Sequence, residues 1–118
     1  MLLSSQVILV REYLDERGRS PYAMRFDSLD QTAAIKITVA LERLSQEHTA
    51  AIKEVGEGVW EYRIDSGPGY RIYFGKDGDC LVILLGGGTK KRQQNDISAA
   101  KAIWKTYKQR KQQEGPWL

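Results

Sequence analysis

The sequence predicts an α+β domain in which helices pack on one side of a mainly antiparallel sheet of about four strands. Residues 59–91 contain three β-favouring runs, two of them alternating apolar and polar side chains, separated by glycine-containing turns. Residues 20–46 and 96–111 repeat apolar side chains at spacings of three and four, which indicates helices. The expected order is strand, helix, helix, three strands and helix, in a single domain that covers residues 1–118.

The N-terminal strand is predicted over residues 5–13. Val7–Val10 are apolar without alternation, which is typical of a strand inside a sheet rather than at its edge. Ser20 and Pro21 then form a helix-start signature, in which the serine caps the helix and the proline takes its first position. The apolar residues of this short helix at helical spacing are Tyr22, Phe26 and Leu29.

A second helix is predicted from a cap at Asp30 to about Gln46. Its apolar face is expected to consist of Ala33, Ile37, Ala40 or Leu41, and Leu44. His48 follows in a polar stretch, where a solvated loop histidine is commoner than a general base. Residues 51–55 can start the sheet, which would place Lys53 near the mouth of a cleft on the following strands.

The register of the first two alternating runs brings two arginines together. If Ile64 pairs with Tyr70, so that the apolar sets meet, Arg63 lies directly opposite Arg71 on the other face. Like charges across a sheet destabilise it, so this pair suggests an anion between the two side chains. The alternative is that Glu61, diagonal to Arg71, neutralises the pair as an ordinary cross-strand ion pair.

The third strand continues into a glycine run and a cationic cluster. A two-residue turn at Asp77-Gly78 would set Phe74 opposite Leu81 and Arg71 opposite Leu84. Glycines allow close approach of another molecule's backbone, and arginine and lysine bind phosphate. The sequence therefore predicts a phosphate-binding, nucleic-acid-binding cleft, with this run at its end: Gly86, Gly87, Gly88, Thr89, Lys90, Lys91 and Arg92.

Charge is distributed unevenly along the chain. Residues 1–89 hold 10 basic and 13 acidic residues, a balance of −3, whereas residues 90–118 hold 8 and 2, a balance of +6. This asymmetry favours a polyanionic partner over a merely solvated basic tail. One cysteine and one histidine exclude an internal disulfide and a Cys/His metal cluster, so neither metal nor cofactor is expected. The apolar start is too short to span a bilayer, which predicts a cytoplasmic protein without a membrane partner.

The terminal helix is predicted from a cap at Asp96 to about Lys111, with residues 112–118 frayed. Its apolar stripe should pack on the sheet and consists of Ile97, Ala100, Trp104 and Tyr107. A lysine stripe beside it could face phosphate or a partner protein, although a solvated flank is commoner; it consists of Lys101, Lys105 and Lys108.

Residues 56–104 resemble the RelE/ParE toxin superfamily and, more narrowly, its phage-derived Gp49/HigB-like addiction module killer protein group. The motifs that carry the resemblance are WEYRI, SGPGYRIYF, KDGD, LLGGGTK and the DI-xxAKxIW helix start. The resemblance implies a RelE/ParE-like fold and the toxin of a type II toxin–antitoxin module, commonly a ribosome-dependent endoribonuclease that cleaves mRNA by 2′-hydroxyl attack. The implied partners are a helix-turn-helix antitoxin, the ribosome and mRNA, and operator DNA through the antitoxin.

By motif, the resemblance implies that Arg63 and Arg71 hold the scissile phosphate and that Lys90 adds charge. Glu61 would be a general base or would orient Arg71. Arg71→Ala is expected to abolish toxicity while leaving the fold intact, because Arg71 is expected at a rim without core contacts. From the residues themselves, further RNA or phosphate contacts are expected at Gly87, Gly88, Lys91 and Arg92, while Lys53 could equally be a phosphate contact or a solvent-exposed rim residue.

The sequence also departs from the family pattern. Tyr62 replaces the usual leucine of the group's ELR motif. Better-known RelE-type members have lysines on the first of these strands and a tyrosine after the last, where this chain has Glu61 with Arg63, and Asp96 with Ile97. The alternative functions are a ParE-like inhibitor that binds DNA gyrase without a nucleolytic site, and an inactive or purely binding relic.

Overall fold

The computed structural model describes residues 8–27, 31–45, 52–65, 67 and 69–114. It is an α+β fold whose five-stranded sheet has the order β1-β5-β4-β3-β2. The strands are β1 (Leu9–Glu12), β2 (Ile52–Gly56), β3 (Val59–Ile64), β4 (Tyr70–Lys76) and β5 (Leu81–Thr89). The helices are α1 (Pro21–Phe26), α2 (Gln31–Ser45) and α3 (Gln93–Glu114), the last preceded by a 3₁₀ turn at Lys90–Arg92.

The predictions for Leu29, Asp30 and His48 lie outside the described residues, as do those for the first part of the N-terminal strand and for residues 115–118. The Leu44 side chain is outside them as well. Within the described ranges, no helix combines the length and apolar character that a membrane span requires.

The sheet has five strands, one more than predicted, because residues 52–56 pair with β3 as strand β2. The prediction that the N-terminal strand lies inside the sheet is wrong. β1 is an edge strand that pairs in parallel with β5 alone, with Leu9 opposite Leu81. Arg11 and Glu12 explain the position, since an edge strand can keep charged side chains in solvent.

The prediction that helices pack on one side of the sheet is also wrong, because they cover both faces. α1 and α2 pack on the face that carries Ile72, Phe74 and Leu84, whereas α3 packs on the opposite face, over Tyr73 and Leu85. β5 is apolar at consecutive positions, so each face of this central strand needs a helix to exclude water.

The predicted starts of the first two helices agree with the structure. Ser20 caps α1, its hydroxyl accepting a hydrogen bond from the Ala23 N–H at 3.0 Å, and Pro21 is the first residue of the helix. In α2, Ala33, Ile37 and Ala40 are buried, as the helical spacing predicts.

α3 is longer than predicted at both ends. It begins at Gln93 rather than at a cap on Asp96, and it continues to Glu114, so residues 112–114 are helical. Asp96 lies inside the first turn, where its carboxylate binds Arg25 instead of capping the helix. Ile97, Ala100 and Trp104 are buried against the sheet, as predicted.

Trp104 fixes the position of α3 on the sheet. Its ring lies over Gly75 of β4, where an added Cβ would be 2.6 Å from indole carbons, and it stacks on Tyr107 at 5.1 Å between ring centroids. From this anchor α3 runs in one direction to Gln93, which contacts Glu61 of β3. In the other direction it reaches the β4–β5 turn, where Lys111 contacts Asp77.

Candidate functional site

The two arginines meet across β3 and β4 as predicted. Ile64 pairs with Tyr70, Tyr62 with Ile72, and Arg63 with Arg71. Residues directly opposite in an antiparallel pair point to the same face, so both arginines lie on the face that α3 partly covers. We call this region, which holds Arg63 and Arg71, the arginine end of the sheet.

The two arginines differ in how firmly they are held. The Arg63 side chain is 54% exposed, and its Nε lies 3.3 Å from the Asp65 carboxylate. The Arg71 side chain is only 10% exposed, and its Nη1 donates to the Gly69 carbonyl at 3.2 Å. The predicted open pair is therefore one solvent-facing arginine beside one enclosed arginine, and the prediction that Arg71 lies on a rim without core contacts is wrong.

Glu61 is buried beside Arg71, with its side chain 3% exposed. Its Oε2 accepts hydrogen bonds from the Tyr73 hydroxyl at 3.1 Å and from Gln93 Nε2 at 2.8 Å. The Arg71 Nε lies 3.7 Å from the same oxygen, within ion-pair range, and Lys53 Nζ lies 3.8 Å from Oε1. The cross-strand ion pair between Glu61 and Arg71 is thus present.

Burial raises the pKa of the Tyr73 phenol well above its ordinary value, and the Glu61 charge and the hydrogen bond to it act in the same direction. The hydroxyl therefore stays protonated and donates to Glu61. Among the described residues, the Arg71 Nε is a buried polar atom without a hydrogen-bond partner. Arg71 is held mainly by charge and by one hydrogen bond.

The predicted register between the second and third strands is wrong. Phe74 pairs with Leu84 and Arg71 with Gly88, because residues 77–80 form a longer turn in which the Asp77 N–H donates to the Leu81 carbonyl at 2.8 Å. A bulge next to Tyr73 shifts the pairing further. As a result, the glycine run lies directly beside Arg71 rather than beyond it.

The protein fills much of the space above the glycine run itself. A Cβ at Gly87 would overlap the ring of Phe26, and a Cβ at Gly88 would overlap the Asp96 carboxylate. Both glycines are buried, so the expected access for a ligand's backbone is not present at Gly87 and Gly88. Gly86 is different, because nothing lies within 4 Å of an added Cβ there.

Two residues of this region were not identified from the sequence. Arg25 of α1 donates from Nε to the Gly87 carbonyl at 3.0 Å, and its Nη2 pairs with Asp96 at 3.2 Å. Gln93 links the first turn of α3 to Glu61. Neither has a sequence signal, because each comes from a helix whose position over the sheet depends on the whole fold.

The remaining predicted cations are exposed around the arginine end. Lys90, Lys91 and Arg92 form the 3₁₀ turn that follows Thr89, which is paired with Tyr70. Lys53 is exposed on β2, directly opposite Glu61. The structure therefore brings Arg63, Arg71, Lys53 and the turn to one end of the sheet, a concentration of positive charge that favours an anion.

Two comparisons place the chain among known proteins. The model of the family described as "Phage derived protein Gp49-like (DUF891)" matches residues 24–112. A relative from Haemophilus influenzae, described as an uncharacterized protein, is 44% identical over 71 residues, which are 60% of this chain and 72% of the relative. The family match covers most of the sheet and all of the arginine end. The chain therefore belongs to the phage-derived Gp49-like family, a family of the addiction-module killer type.

Proposed function

We propose that this protein is a RelE/ParE-superfamily toxin of a type II toxin–antitoxin module that acts in the cytoplasm as a ribosome-dependent mRNA endoribonuclease. Its family is of the toxin type, and its α+β fold with a mostly antiparallel sheet is compatible with that superfamily. A helix-turn-helix antitoxin is its proposed protein partner. The observation that carries the proposal is the pairing of Arg63 with Arg71 beside a buried carboxylate.

The proposed reaction needs positive charge at the scissile phosphate. The 2′-oxygen of the RNA attacks phosphorus, the bond to the 5′-oxygen breaks, and the products are a 2′,3′-cyclic phosphate and a 5′-hydroxyl. Charge accumulates on the phosphate oxygens in the transition state, so preorganised guanidinium groups stabilise it more than the ground state. Arg71 is preorganised by Glu61 and the Gly69 carbonyl, while Arg63 can close on the phosphate from the solvent side.

We assign Glu61 to positioning Arg71 rather than to proton abstraction. A general base must reach the proton that it removes, to within a hydrogen bond or one water. Glu61 is almost fully enclosed, and its Oε2 is already engaged by Tyr73 and Gln93. Lys53, Lys90, Lys91 and Arg92 would hold the neighbouring RNA phosphates.

Arg63→Ala is the sharpest test, because this side chain is half exposed and its removal leaves no buried charge unpaired. We expect cleavage to fall by about 10²–10³-fold, the range for loss of one transition-state donor, with the melting temperature unchanged. Arg17→Ala, an exposed arginine in the turn after β1, is the matched control and should cleave normally.

Cleavage is measured by primer extension on transcripts after induced expression, and with purified protein in the presence and absence of ribosomes. Full cleavage by folded Arg63→Ala protein would contradict the proposal. DNA damage and stalled replication without transcript cleavage would support the gyrase-inhibitor alternative instead.

A further inference from the structure

A cleft between α1 and α3 lies beside the glycine run of β5. Its volume of about 370 Å³ is at the lower end of the range for small-molecule sites. Its floor is open at Gly86, where nothing lies within 4 Å of an added Cβ. We call it the α1–α3 cleft and define it by the lining residues Met24, Arg25, Gly86, Arg92, Asp96 and Ile103.

The cleft exists because β1 ends before β5 does. The Tyr13 N–H donates to the Leu84 carbonyl at 2.9 Å, at the end of the pairing between the two strands, whereas β5 continues to Thr89. Helix α1 lies beside the remainder of β5, and its Arg25 Nε donates to the Gly87 carbonyl at 3.0 Å. An arginine side chain thus takes the hydrogen-bonding place of a neighbouring strand.

The Arg25 guanidinium is held on one side only. Besides the hydrogen bond from Nε, its Nη2 pairs with both carboxylate oxygens of Asp96, at 3.2 and 3.3 Å. Its Nη1 makes no hydrogen bond within the part of the chain that the structure describes, and the side chain is 37% exposed. Since a guanidinium has five N–H donors in a fixed plane, the Nη1 end keeps preorganised donors for a ligand in the cleft.

The α1–α3 cleft is continuous with the arginine end of the sheet. Gly88 lies directly opposite Arg71, and a Cβ on Gly88 would be 3.1 Å from Arg25 Nη2. Opposite residues point to the same face, so the Arg71 side chain and the Arg25 guanidinium share that face. A nucleotide chain that crosses the sheet from β3 towards α1 would therefore meet Arg63, Arg71 and Arg25 in that order.

We propose, with RNA taken from the proposed function as the substrate, that the α1–α3 cleft binds a guanine base of the strand whose phosphate lies between Arg63 and Arg71. Guanine has two neighbouring acceptors, O6 and N7, which an arginine contacts in two-point fashion. Adenine has a donor beside its N7, and the exocyclic group of cytosine is a donor, so neither edge matches a group that only donates. Arg25 is the residue that would determine this specificity.

The other walls of the cleft suit a nucleotide. Met24 is 61% exposed and Ile103 is half-buried, so their side chains can contact the apolar faces of a base. Arg92 is exposed in the 3₁₀ turn and can pair with the phosphate of the same nucleotide. Such a site combines apolar contacts with a few placed polar groups.

The carboxylates in the cleft wall are already engaged within the protein. Asp96 pairs with Arg25, and Asp15 accepts hydrogen bonds from two backbone N–H groups of the turn after β1, at 2.8 and 2.9 Å. Asp96 therefore acts on the ligand through Arg25, whose plane it fixes.

Short RNA strands with 2′-fluoro sugars test the cleft, because a strand without 2′-hydroxyls cannot be cleaved by the proposed reaction. The full chain is titrated into fluorescein-labelled hexauridine and into the same strand with one guanosine at each position in turn. Kd values are measured by fluorescence anisotropy. At one position guanosine should lower the Kd by about tenfold, as expected for one two-point base contact.

Base analogues identify the edge of guanine that the protein contacts. Inosine keeps O6 and N7 and should bind as tightly as guanosine. The analogue 7-deazaguanosine lacks the N7 acceptor and should lose most of the preference over uridine. Both measurements use the unmodified protein, so they do not depend on the folding of any variant.

Arg25→Lys keeps the charge but removes the fork of donors. The preference for guanosine should disappear, while the Kd for hexauridine should change by less than about twofold. Arg43→Lys is the matched control, because Arg43 is exposed in the last turn of α2, beside β3 and away from the cleft. It should keep the preference, and circular dichroism confirms that both variants are folded.

The proposal would be overturned by the absence of a guanosine preference, or by a preference that 7-deazaguanosine or folded Arg25→Lys protein retains. Equal loss of affinity for both strands in Arg25→Lys protein would overturn it too, because Arg25 would then contact phosphate rather than a base.

Arg63→Ala separates this proposal from the proposed cleavage. Hexauridine binding that Arg63→Ala weakens, without any preference for guanosine, would overturn the guanine site alone. A guanosine preference in a protein that cuts no transcript would overturn the cleavage alone. Failure to bind any of the strands would overturn both.

Discussion

Glu61 determines how Arg71 can act. A buried carboxylate is costly unless it is paired and hydrogen-bonded, and here Arg71, Tyr73 and Gln93 supply those contacts. Arg71 and Tyr73 come from β4, whereas Gln93 comes from the first turn of α3. The guanidinium that is proposed to meet phosphate is therefore held by the sheet and by the start of α3 together.

Glu61→Gln should destabilise the protein by about 2–4 kcal/mol, because it leaves the enclosed Arg71 without its counter-charge. Tyr73→Phe is the milder comparison, with an expected loss of about 1–2 kcal/mol for one buried hydrogen bond. Urea unfolding measures both as shifts of the midpoint at constant slope. A Glu61→Gln protein as stable as the parent would show that the carboxylate does not balance Arg71.

For individual residues, the sequence predicted which face of the sheet a side chain lies on, but not how deeply that side chain is buried. Strict alternation in β3 and β4 was sufficient to place Arg63, Arg71 and Glu61 on one face and in register. Burial of Arg71 and Glu61 depends on where α3 begins, which no local pattern encodes. Gln93 and Arg25 were missed because no local pattern encodes where their helices, α3 and α1, lie over the sheet.

Helix α3 is fastened to the sheet at both of its ends. Near its C-terminus, the Tyr107 hydroxyl and Lys111 Nζ each donate to Asp77 at 2.5 Å. Burial of Asp77 acts to raise its pKa, but the hydrogen bonds from Lys111 and Tyr107 outweigh it, so the pKa of Asp77 lies below its ordinary value. The carboxylate that holds α3 to the β4–β5 turn is therefore stabilised in its charged form.

Asp77→Asn should reduce the free energy of unfolding by about 1 kcal/mol at neutral pH, because one partner is a half-exposed lysine. A lowered folded-state pKa contributes stability above the unfolded-state pKa of about 4, and this contribution is lost as pH falls through the folded-state value. The difference between parent and variant should therefore shrink on acidification.

Chemical unfolding at a series of pH values measures this difference. Asp79→Asn, in the same turn but exposed, is the control and should leave stability unchanged. A difference between parent and Asp77→Asn that grows on acidification would contradict the assignment.

The elements themselves were largely predictable, and their ends were not. Ser20-Pro21 gave the start of α1 because capping is a local interaction. The start of α3 was placed at Asp96 on the same logic, but a distant arginine binds that carboxylate and the helix begins a turn earlier, at Gln93. Local capping rules fail where a tertiary ion pair takes the capping side chain.

For the whole molecule, the uneven charge of the sequence becomes a positive end of the sheet. Lys90, Lys91 and Arg92 are exposed there, next to Arg63 and Arg71. The lysines further along α3 are partly engaged elsewhere, Lys101 with Glu57 and Lys108 over the Trp104 ring. Long-range attraction of a polyanion should therefore act at the arginine end.

Binding of a single-stranded RNA oligonucleotide should weaken with salt, with a slope of log K against log salt of about −0.7 for each phosphate neutralised. Lys91→Ala should reduce that slope by about 0.7, whereas Lys105→Ala, exposed in the middle of α3, should not change it. Fluorescence anisotropy at several salt concentrations measures both. Equal effects of the two variants would show that RNA binds along α3 instead.

The fold class followed from periodicity, but the arrangement of layers did not. The apolar run Val82–Leu85 is itself the signature of a strand covered on both faces, so helices on both sides were open to prediction from that segment. The parallel pairing of β1 with β5 has no such signature, because it joins segments that are far apart in the chain. Distant pairings of this kind are the least accessible to local patterns.

That parallel pairing also affects how the protein is made. β5 lies between β1 and β4 in the sheet but follows both in the chain, so a nascent polypeptide that has not reached Leu81 holds two strand edges without their shared neighbour. Unpaired strand edges of this kind find their distant partners slowly and are prone to misfolding and aggregation. The enclosure of Glu61 needs Gln93 as well, so during translation it cannot be completed until β5 and the start of α3 have both been made.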